Sequence, residues 1–157
     1  MNVYNIQHSI TEQLTAGFTS VSSPVLAFDL PDNPNDFQKA VTTPIAYVVY
    51  TGSKADSSNS TRVVTQRRKL SFTVEVHARS LYAANGLHTT RDLVEQILIG
   101  WAPLNCQRLY LIKDDIDKTD DGIWVHMLQF ECETMLVQVA DDDPIVVPIL
   151  KCITNTP

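Results

Sequence analysis

The sequence predicts an α+β domain in which an antiparallel β-sheet carries two α-helices on one face, with long hairpins and a C-terminal arm. Two segments repeat apolar residues at intervals of three and four, which is helical spacing. A segment beginning at Leu70 alternates apolar and polar residues, as a strand with one buried face does. The strand-like segments are joined by turn-forming residues, so neighbouring strands should run antiparallel. We predict a domain at residues 1–140 and an arm at 141–157.

The first helix is predicted at the N-terminus. Val3, Ile6, Ile10 and Leu14 fall on one stripe of a helix, and Gly17 is a typical stop signal.

Short elements are predicted to follow this helix. Pro24–Phe28 is expected to form a short strand, and residues 31–36 have the composition of a turn. Asn35 or Asp36 would cap a short helix over Phe37–Val41.

A long hairpin is predicted next. Ile45–Tyr50 is β-branched and aromatic and should be a strand that is buried on both faces. Residues 52–60 form a polar loop. The returning strand extends back from Leu70 through Arg62–Lys69. This length predicts a hairpin whose tip projects beyond the body of the domain.

The second main helix is predicted at Asn85–Trp101, with Thr89 and Asp92 as a capping pair and Gly100 and Pro103 ending it. Its apolar stripe consists of Leu87, Val94, Ile97, Leu98 and Trp101.

A second hairpin and the arm complete the chain. Arg108–Ile112 and Ile123–Val137 are predicted strands, joined by an acidic turn that Asp121 and Gly122 close. In the arm, the apolar stretch at 144–153 is broken by two prolines, so it can be neither a helix nor a central strand. We expect it to pack on its own domain or on a neighbouring subunit, because an exposed apolar segment promotes aggregation.

Composition excludes several functional classes. The net charge of −6 does not favour nucleic-acid binding through phosphate neutralisation. No apolar run is long enough for a transmembrane helix, and the N-terminus lacks a signal-peptide pattern, so we expect synthesis in the cytoplasm and no membrane partner. Cys106, Cys132 and Cys152 are too widely spaced for a disulfide framework or a zinc site and are interpreted as small apolar fillers.

No catalytic, metal or cofactor motif is present in the sequence. The histidines lack metal-ligand spacing, and His77 and His126 are predicted to be surface or groove residues on strands. A calcium loop starting at Asp115 would need glycine at its sixth position and glutamate at its twelfth, but Asp120 and His126 stand there. There is no phosphate-binding loop and no nucleophile elbow. We therefore expect a protein that is not an enzyme and that holds no cofactor.

The charged clusters leave several interpretations open. Arg62, Arg67, Arg68 and Lys69 are the one basic cluster. This cluster could be a solvated strand start, a contact with acidic segments of a neighbouring subunit, or a phosphate contact. In an interface, opposite charges fix register and orientation more than they add affinity. The residues predicted to form the subunit interface are the basic and acidic clusters and the apolar arm: Arg62, Arg67, Arg68, Lys69, Asp115, Asp117, Asp120, Asp121, Asp141, Asp142, Asp143, Ile145, Val146, Val147, Ile149 and Leu150.

The segment from Leu70 to Val137 resembles the tail terminator, or tail-completion, proteins of Mu-like contractile-tailed phages. LSFTVEVHARSLYAANGLHTTRDLVEQIL, followed after a gap by HMLQFECETMLV, is similar to their strand F-x-V-x-V-x-A-R-S, its following helix and a closing hairpin. Leu81, Tyr82 and Gly86 resemble the joint between that strand and that helix.

This resemblance implies a structural virion protein of the tail and neck, assembled in the host cytoplasm. It implies a homo-oligomeric ring, a hexamer, that caps the tail tube and sheath at the head-proximal end and contacts the head–tail connector or neck protein. DNA would pass through the ring lumen without specific binding. The alternatives are a head–tail connector or neck adaptor ring, a cytoplasmic tail-assembly chaperone, and a small enzyme or ligand-binding domain.

Overall fold

The computed structural model describes residues 2–33, 36, 43–58, 63–118 and 121–138. In this part of the chain, two helices and five strands follow one another as α1 (Val3–Ser20), β1 (Leu26–Asp29), β2 (Ile45–Ala55), β3 (Thr65–Ala78), α2 (Leu87–Leu98), β4 (Tyr110–Lys118) and β5 (Trp124–Val137). The predicted helix over Phe37–Val41 and the predicted arm at 141–157 lie outside the described residues.

The strands form one sheet in the order β1-β2-β3-β5-β4. The two predicted hairpins are present, and β2, β3, β5 and β4 pair antiparallel. The short strand β1 adds to the β2 edge in parallel, so the sheet as a whole is mixed. The predicted α+β class, with antiparallel hairpins at its centre, is confirmed.

Both helices pack on one face of the sheet, as predicted. The alternation of β3 places Leu70, Phe72, Val74 and Val76 under the helices, and each is fully buried. We call this side the helix-covered face and the other side, which carries Ser71, Thr73 and Glu75, the open face. The core joins the two helix stripes to the helix-covered face, through Ile6, Ile10, Leu14, Phe18, Val94, Leu98, Leu128 and Phe130 among others.

Helix α1 is longer than predicted because Gly17 is not its end. The helix continues through Ser20, and Gly17 instead faces Ile97 of α2. A β-carbon at Gly17 would lie 2.6 Å from Cδ1 and Cγ1 of Ile97 and 2.8 Å from its Cγ2. Gly17 therefore permits a close approach of the two helices.

A polar network fixes α1 to the edge of the sheet. Asp29, at the end of β1, accepts hydrogen bonds from Gln7 Nε2 at 3.3 Å and from the Thr11 hydroxyl at 2.8 Å, and it lies 2.7 Å from His8 Nδ1. The Gln7 side-chain oxygen accepts a hydrogen bond from the backbone N–H of Tyr50 at 2.8 Å, next to an irregularity in the β2–β3 register. One helix face thus satisfies polar groups on two strands.

Helix α2 begins two residues later and ends three residues earlier than predicted. Gly86 is its N-cap residue without a side-chain cap, so the predicted capping pair of Thr89 and Asp92 is wrong, and both residues lie in or after the first turn. The stop signal is confirmed in position, since the helix ends at Leu98 and Gly100 follows with a φ of 81°.

Candidate interaction surface

Three strands continue past the helical layer and form a strand extension, which we define as 52–55 of β2, 65–69 of β3 and 133–137 of β5. The buried run of β3 starts at Leu70, and only Thr134 is buried within the extension. The predicted projection of the first hairpin is therefore confirmed for the described residues, and β5 accompanies it.

Backbone and side-chain hydrogen bonds make the extension a preformed element. The Gln138 N–H donates to the Val64 carbonyl at 2.8 Å, and Gln138 Oε1 accepts a hydrogen bond from Val64 N–H at 3.1 Å. Gln66 Nε2 donates to the Asp56 carbonyl at 3.0 Å. The extension therefore presents its side chains on an ordered backbone.

The open face of the extension is basic and apolar. Arg67 and Lys69 share the carboxylate of Glu133, with N–O distances of 3.8 and 3.9 Å. On the same face, Met135 and Val137 are 54% and 57% exposed. Both ion pairs are long and partly solvated, so they contribute little to folding and leave both cations accessible to a partner.

Arg68 differs from its two neighbours because the strand alternation turns it to the other face. Its Nε donates to Ser53 Oγ at 2.7 Å and its Nη2 donates to the Tyr50 hydroxyl at 3.2 Å. Arg68 therefore braces β3 against β2, and among the described residues of the predicted basic cluster Arg67 and Lys69 point into the open face.

The acidic segment lies in a strand rather than in a turn, which corrects the sequence prediction for Asp115 and Asp117. Both belong to β4 and pair with Met127 and Val125 of β5. Among the described acidic residues of this segment, Asp121 lies in the turn, next to Gly122 with a φ of 74°. The strand forms because β5 offers a long row of unpaired backbone groups, and an edge strand can be charged since one side faces solvent.

Asp114 is held against α2 rather than exposed for a partner. Its Oδ2 accepts from Nε and Nη2 of Arg91 at 3.2 and 3.0 Å and lies 3.2 Å from His126 Nε2. Burial alone would raise the pKa of Asp114, but the hydrogen bonds from His126 and Arg91 outweigh it and lower that pKa. Glu95 also pairs with Arg91.

His126 is a buried residue, so its predicted place at the surface or in a groove is wrong. It shares the helix-covered face with Leu128 and Phe130 and is only 7% exposed. The alternation of β5 decides this, because His126 lies two residues from Leu128 on the same face. His77 lies on the open face, half-buried, with its ring edge-on to Tyr47.

The basic and acidic groups lie at opposite ends of the open face. Arg67 pairs with Met135 and Asp115 pairs with Met127, eight residues apart along β5. At about 3.4 Å per residue this separation is about 27 Å. The two clusters therefore cannot meet within one molecule.

The other predicted interface residues lie outside the described residues: Arg62, Asp120, Asp141, Asp142, Asp143, Ile145, Val146, Val147, Ile149 and Leu150. The sequence did not predict the exposed apolar residues Met135 and Val137 of the extension, or Val63 and Val64 just before it. Met135 and Val137 could have been found from the length of the last predicted strand, because that strand is longer than the part of it that the helices can cover.

The described residues were compared with the requirements of a metal site and of a membrane-spanning helix. Within them, no group of three or more histidine, cysteine or acidic residues is arranged to hold a metal ion. Neither α1 nor α2 is long and apolar enough to cross a membrane.

Comparison with known proteins identifies a family and a fold. The sequence profile of the Gp37 protein family matches residues 21–156. Among solved structures, the chain is similar to a chain in the virion of a native gene transfer agent particle, with a TM-score of 0.56 and 13% sequence identity. That alignment covers 85% of this chain and 97% of the other. None of the curated proteins matches this chain.

Proposed function

This chain belongs to the Gp37 protein family, and we propose that it is a structural virion subunit, a tail terminator that forms a ring at the head-proximal end of a phage tail. The fold that it shares with a chain of a gene transfer agent virion supports a place in a particle. The ring would cap the tail tube and sheath and present a surface to the neck protein.

The observation that carries the ring is the separation of charge on the open face. Arg67 and Lys69 lie at one end and Asp115 and Asp117 at the other, too far apart to neutralise each other. Glu133 offsets part of the basic charge and Lys113, 2.7 Å from Asp115, part of the acidic charge, so each cluster keeps an excess of its own sign. A head-to-tail contact brings the basic end of one subunit to the acidic end of the next. Such a heterologous contact closes into a ring when the rotation between neighbours is right.

Apolar contacts supply the affinity of this interface and charges supply its register. Met135 and Val137 are more than half exposed beside Arg67, so a neighbour would remove their surface from water. Steering and alignment come from the opposite charges. The arm, 141–157, follows β5 in the sequence, and its apolar stretch at 144–153 is expected to pack on the neighbour as well.

A charge-reversal experiment tests this geometry. Arg67→Glu with Lys69→Glu gives subunits that are acidic at both ends, and Asp115→Lys with Asp117→Lys gives subunits that are basic at both ends. Each variant alone should elute as a monomer in size-exclusion chromatography with light scattering. An equimolar mixture should regain the ring, because the two kinds of subunit can alternate around a hexamer.

The matched control uses two neighbours in one strand. Arg67→Glu and Arg68→Glu introduce the same charge, but only Arg67 lies on the open face, so only Arg67→Glu should weaken the ring. Equal loss of assembly in both variants, or a mixture of the reversed proteins that stays monomeric, would contradict the head-to-tail interface. Deletion of 144–157 should leave a folded domain with weaker ring formation.

The position in the particle is tested in the phage. Without a tail terminator, tubes should grow to irregular lengths under the electron microscope. Tails of normal length that fail to join heads would instead identify a connector or neck adaptor ring. Normal particles that lack the protein would identify an assembly chaperone.

A further inference from the structure

We propose that Cys106 and Cys132 form a reactive thiol pair, in which Cys106 is modified by low-molecular-weight disulfides and Cys132 then closes an intramolecular disulfide. The pair joins the segment between α2 and β4 to β5, next to the strand extension. The thiol chemistry does not rest on the proposed ring, but Arg67 and Met135 of the ring interface also line the groove at Cys106, so the tests use the monomeric protein.

The two cysteines are brought together because the backbone of residues 105–107 runs beside β5. The N–H of Gln107 donates to the Glu133 carbonyl at 2.8 Å, and the Thr134 hydroxyl donates to the Asn105 carbonyl at 2.9 Å. Residues 105–107 are thereby held alongside β5. These two bonds place Cys106 beside Cys132, and Cys106 packs against the buried cluster to which Cys132 belongs.

The two thiols differ in accessibility. Cys132 points into the helix-covered face and is fully buried, whereas Cys106 is half-buried. Cys106 lines an open groove whose walls include Arg67, Glu133 and Met135. A small disulfide such as oxidised glutathione can enter this groove, and the Arg67 guanidinium offers a partner for its carboxylates.

The two thiols also differ in acidity. The hydrogen bond from the Cys132 thiol lowers the pKa of Cys106 against the opposing effect of burial. The same hydrogen bond, together with burial, raises the pKa of Cys132. Because the thiolate is the attacking species, Cys106 is the nucleophile and Cys132 holds the proton.

The chemistry balances in two exchanges. The Cys106 thiolate attacks one sulfur of oxidised glutathione, forms a mixed disulfide and expels one glutathione thiolate. This step removes the hydrogen bond to the Cys106 thiolate, which was the largest cause of the raised pKa of Cys132. Cys132 then loses its proton to solvent or to the departed thiolate, attacks the Cys106 sulfur and expels a second glutathione. The protein loses two hydrogen atoms and oxidised glutathione is reduced to two molecules of glutathione.

Mass spectrometry of the folded protein tests the assignment. All proteins carry Cys152→Ser, so that only the pair reacts. Treatment with oxidised glutathione at about pH 8 should yield a product lighter by two hydrogen atoms, with Cys106 and Cys132 joined in its peptide map. Cys132→Ala should stop at the mixed disulfide on Cys106, whereas Cys106→Ser should remain unmodified at Cys132.

A rate measurement separates activation from simple exposure. Iodoacetamide should label Cys106 more than about tenfold faster than Cys132 in the folded protein, and Cys132→Ala should slow labelling of Cys106, because the activating hydrogen bond is lost. A Cys106 that reacts no faster when Cys132 is present, or a folded protein that never forms the intramolecular disulfide, overturns the proposal. Circular dichroism of each variant verifies that it is folded.

Discussion

Replacement of Gly17 by alanine tests how closely the two helices pack. In an isolated helix this change would stabilise by about 1 kcal/mol, because glycine has the larger backbone entropy to lose. Here the new methyl group would lie 2.6 to 2.8 Å from three carbons of Ile97. Two of them are the γ carbons, so any staggered rotamer of Ile97 leaves at least one of them in contact with the methyl group.

The balance of the two effects predicts net destabilisation. Overpacking in a well-packed site costs about 1–3 kcal/mol, so after the gain of about 1 kcal/mol in helix propensity we expect Gly17→Ala to cost up to about 2 kcal/mol. In an Ile97→Ala background the clash is absent, and the same substitution should stabilise by about 1 kcal/mol. The sign of the effect therefore depends on one side chain.

Urea unfolding followed by tryptophan fluorescence measures the four proteins of this double-mutant cycle, at concentrations where the chain is monomeric. The expected coupling between the two sites is about 1–3 kcal/mol. If Gly17→Ala stabilises the protein equally with Ile97 and with Ala at position 97, the close approach of the helices does not constrain position 17.

Three further predictions concern titrating groups and the core. The hydrogen bond to Asp29 raises the pKa of His8 above 6.5. The stability that this bond contributes is therefore fully present below pH 6.5 and is lost as the pH rises through the raised pKa. The melting temperatures of wild type and His8→Gln should differ at about pH 5.5 and converge near about pH 9. The lowered pKa of Asp114 gives the opposite pH dependence, because its contribution to stability is present above pH 3.8 and is lost as the pH falls through the lowered pKa. The melting temperature of Asp114→Asn should therefore approach that of wild type on acidification. A constant difference between the two down to about pH 2 would contradict the linkage. Phe130→Ala removes a fully buried ring from the middle of the sheet and should cost about 3–5 kcal/mol in urea unfolding, against less than about 0.5 kcal/mol for the exposed Val137→Ala.

The sequence predicted the elements whose burial is one-sided and periodic. Strand β3 and the stripe of α1 were assigned correctly because Leu70–Ala78 and Ile6, Ile10 and Leu14 place apolar atoms at the intervals that their geometry requires. The acidic half of β4 could not be predicted in this way. As an edge strand it buries little, and its backbone pairing depends on the distant β5 rather than on its own side chains.

The candidate surface was predicted by residue type and not by position. Charge alone identified Arg67, Lys69, Asp115 and Asp117, but it could not separate Arg68, which only the strand alternation turns inward toward Ser53. The distance between the basic and acidic ends follows from the β3–β5–β4 register, which the sequence does not encode locally. Gly17 was misassigned for a similar reason, since its role depends on Ile97 of a helix far along the chain.

The pairing of β3 with β5 runs without interruption through fourteen positions, from Thr65–Val137 in the extension to Ala78–Trp124 under the helices. At about 3.4 Å per residue, the paired strands are about 48 Å long. Tension directed along its axis would strain all the cross-strand hydrogen bonds together, whereas a sideways pull at the tip would open them one after another, since these bonds lie perpendicular to the strands. A protein seated on the tip would therefore meet stiffness in one direction and compliance in the other.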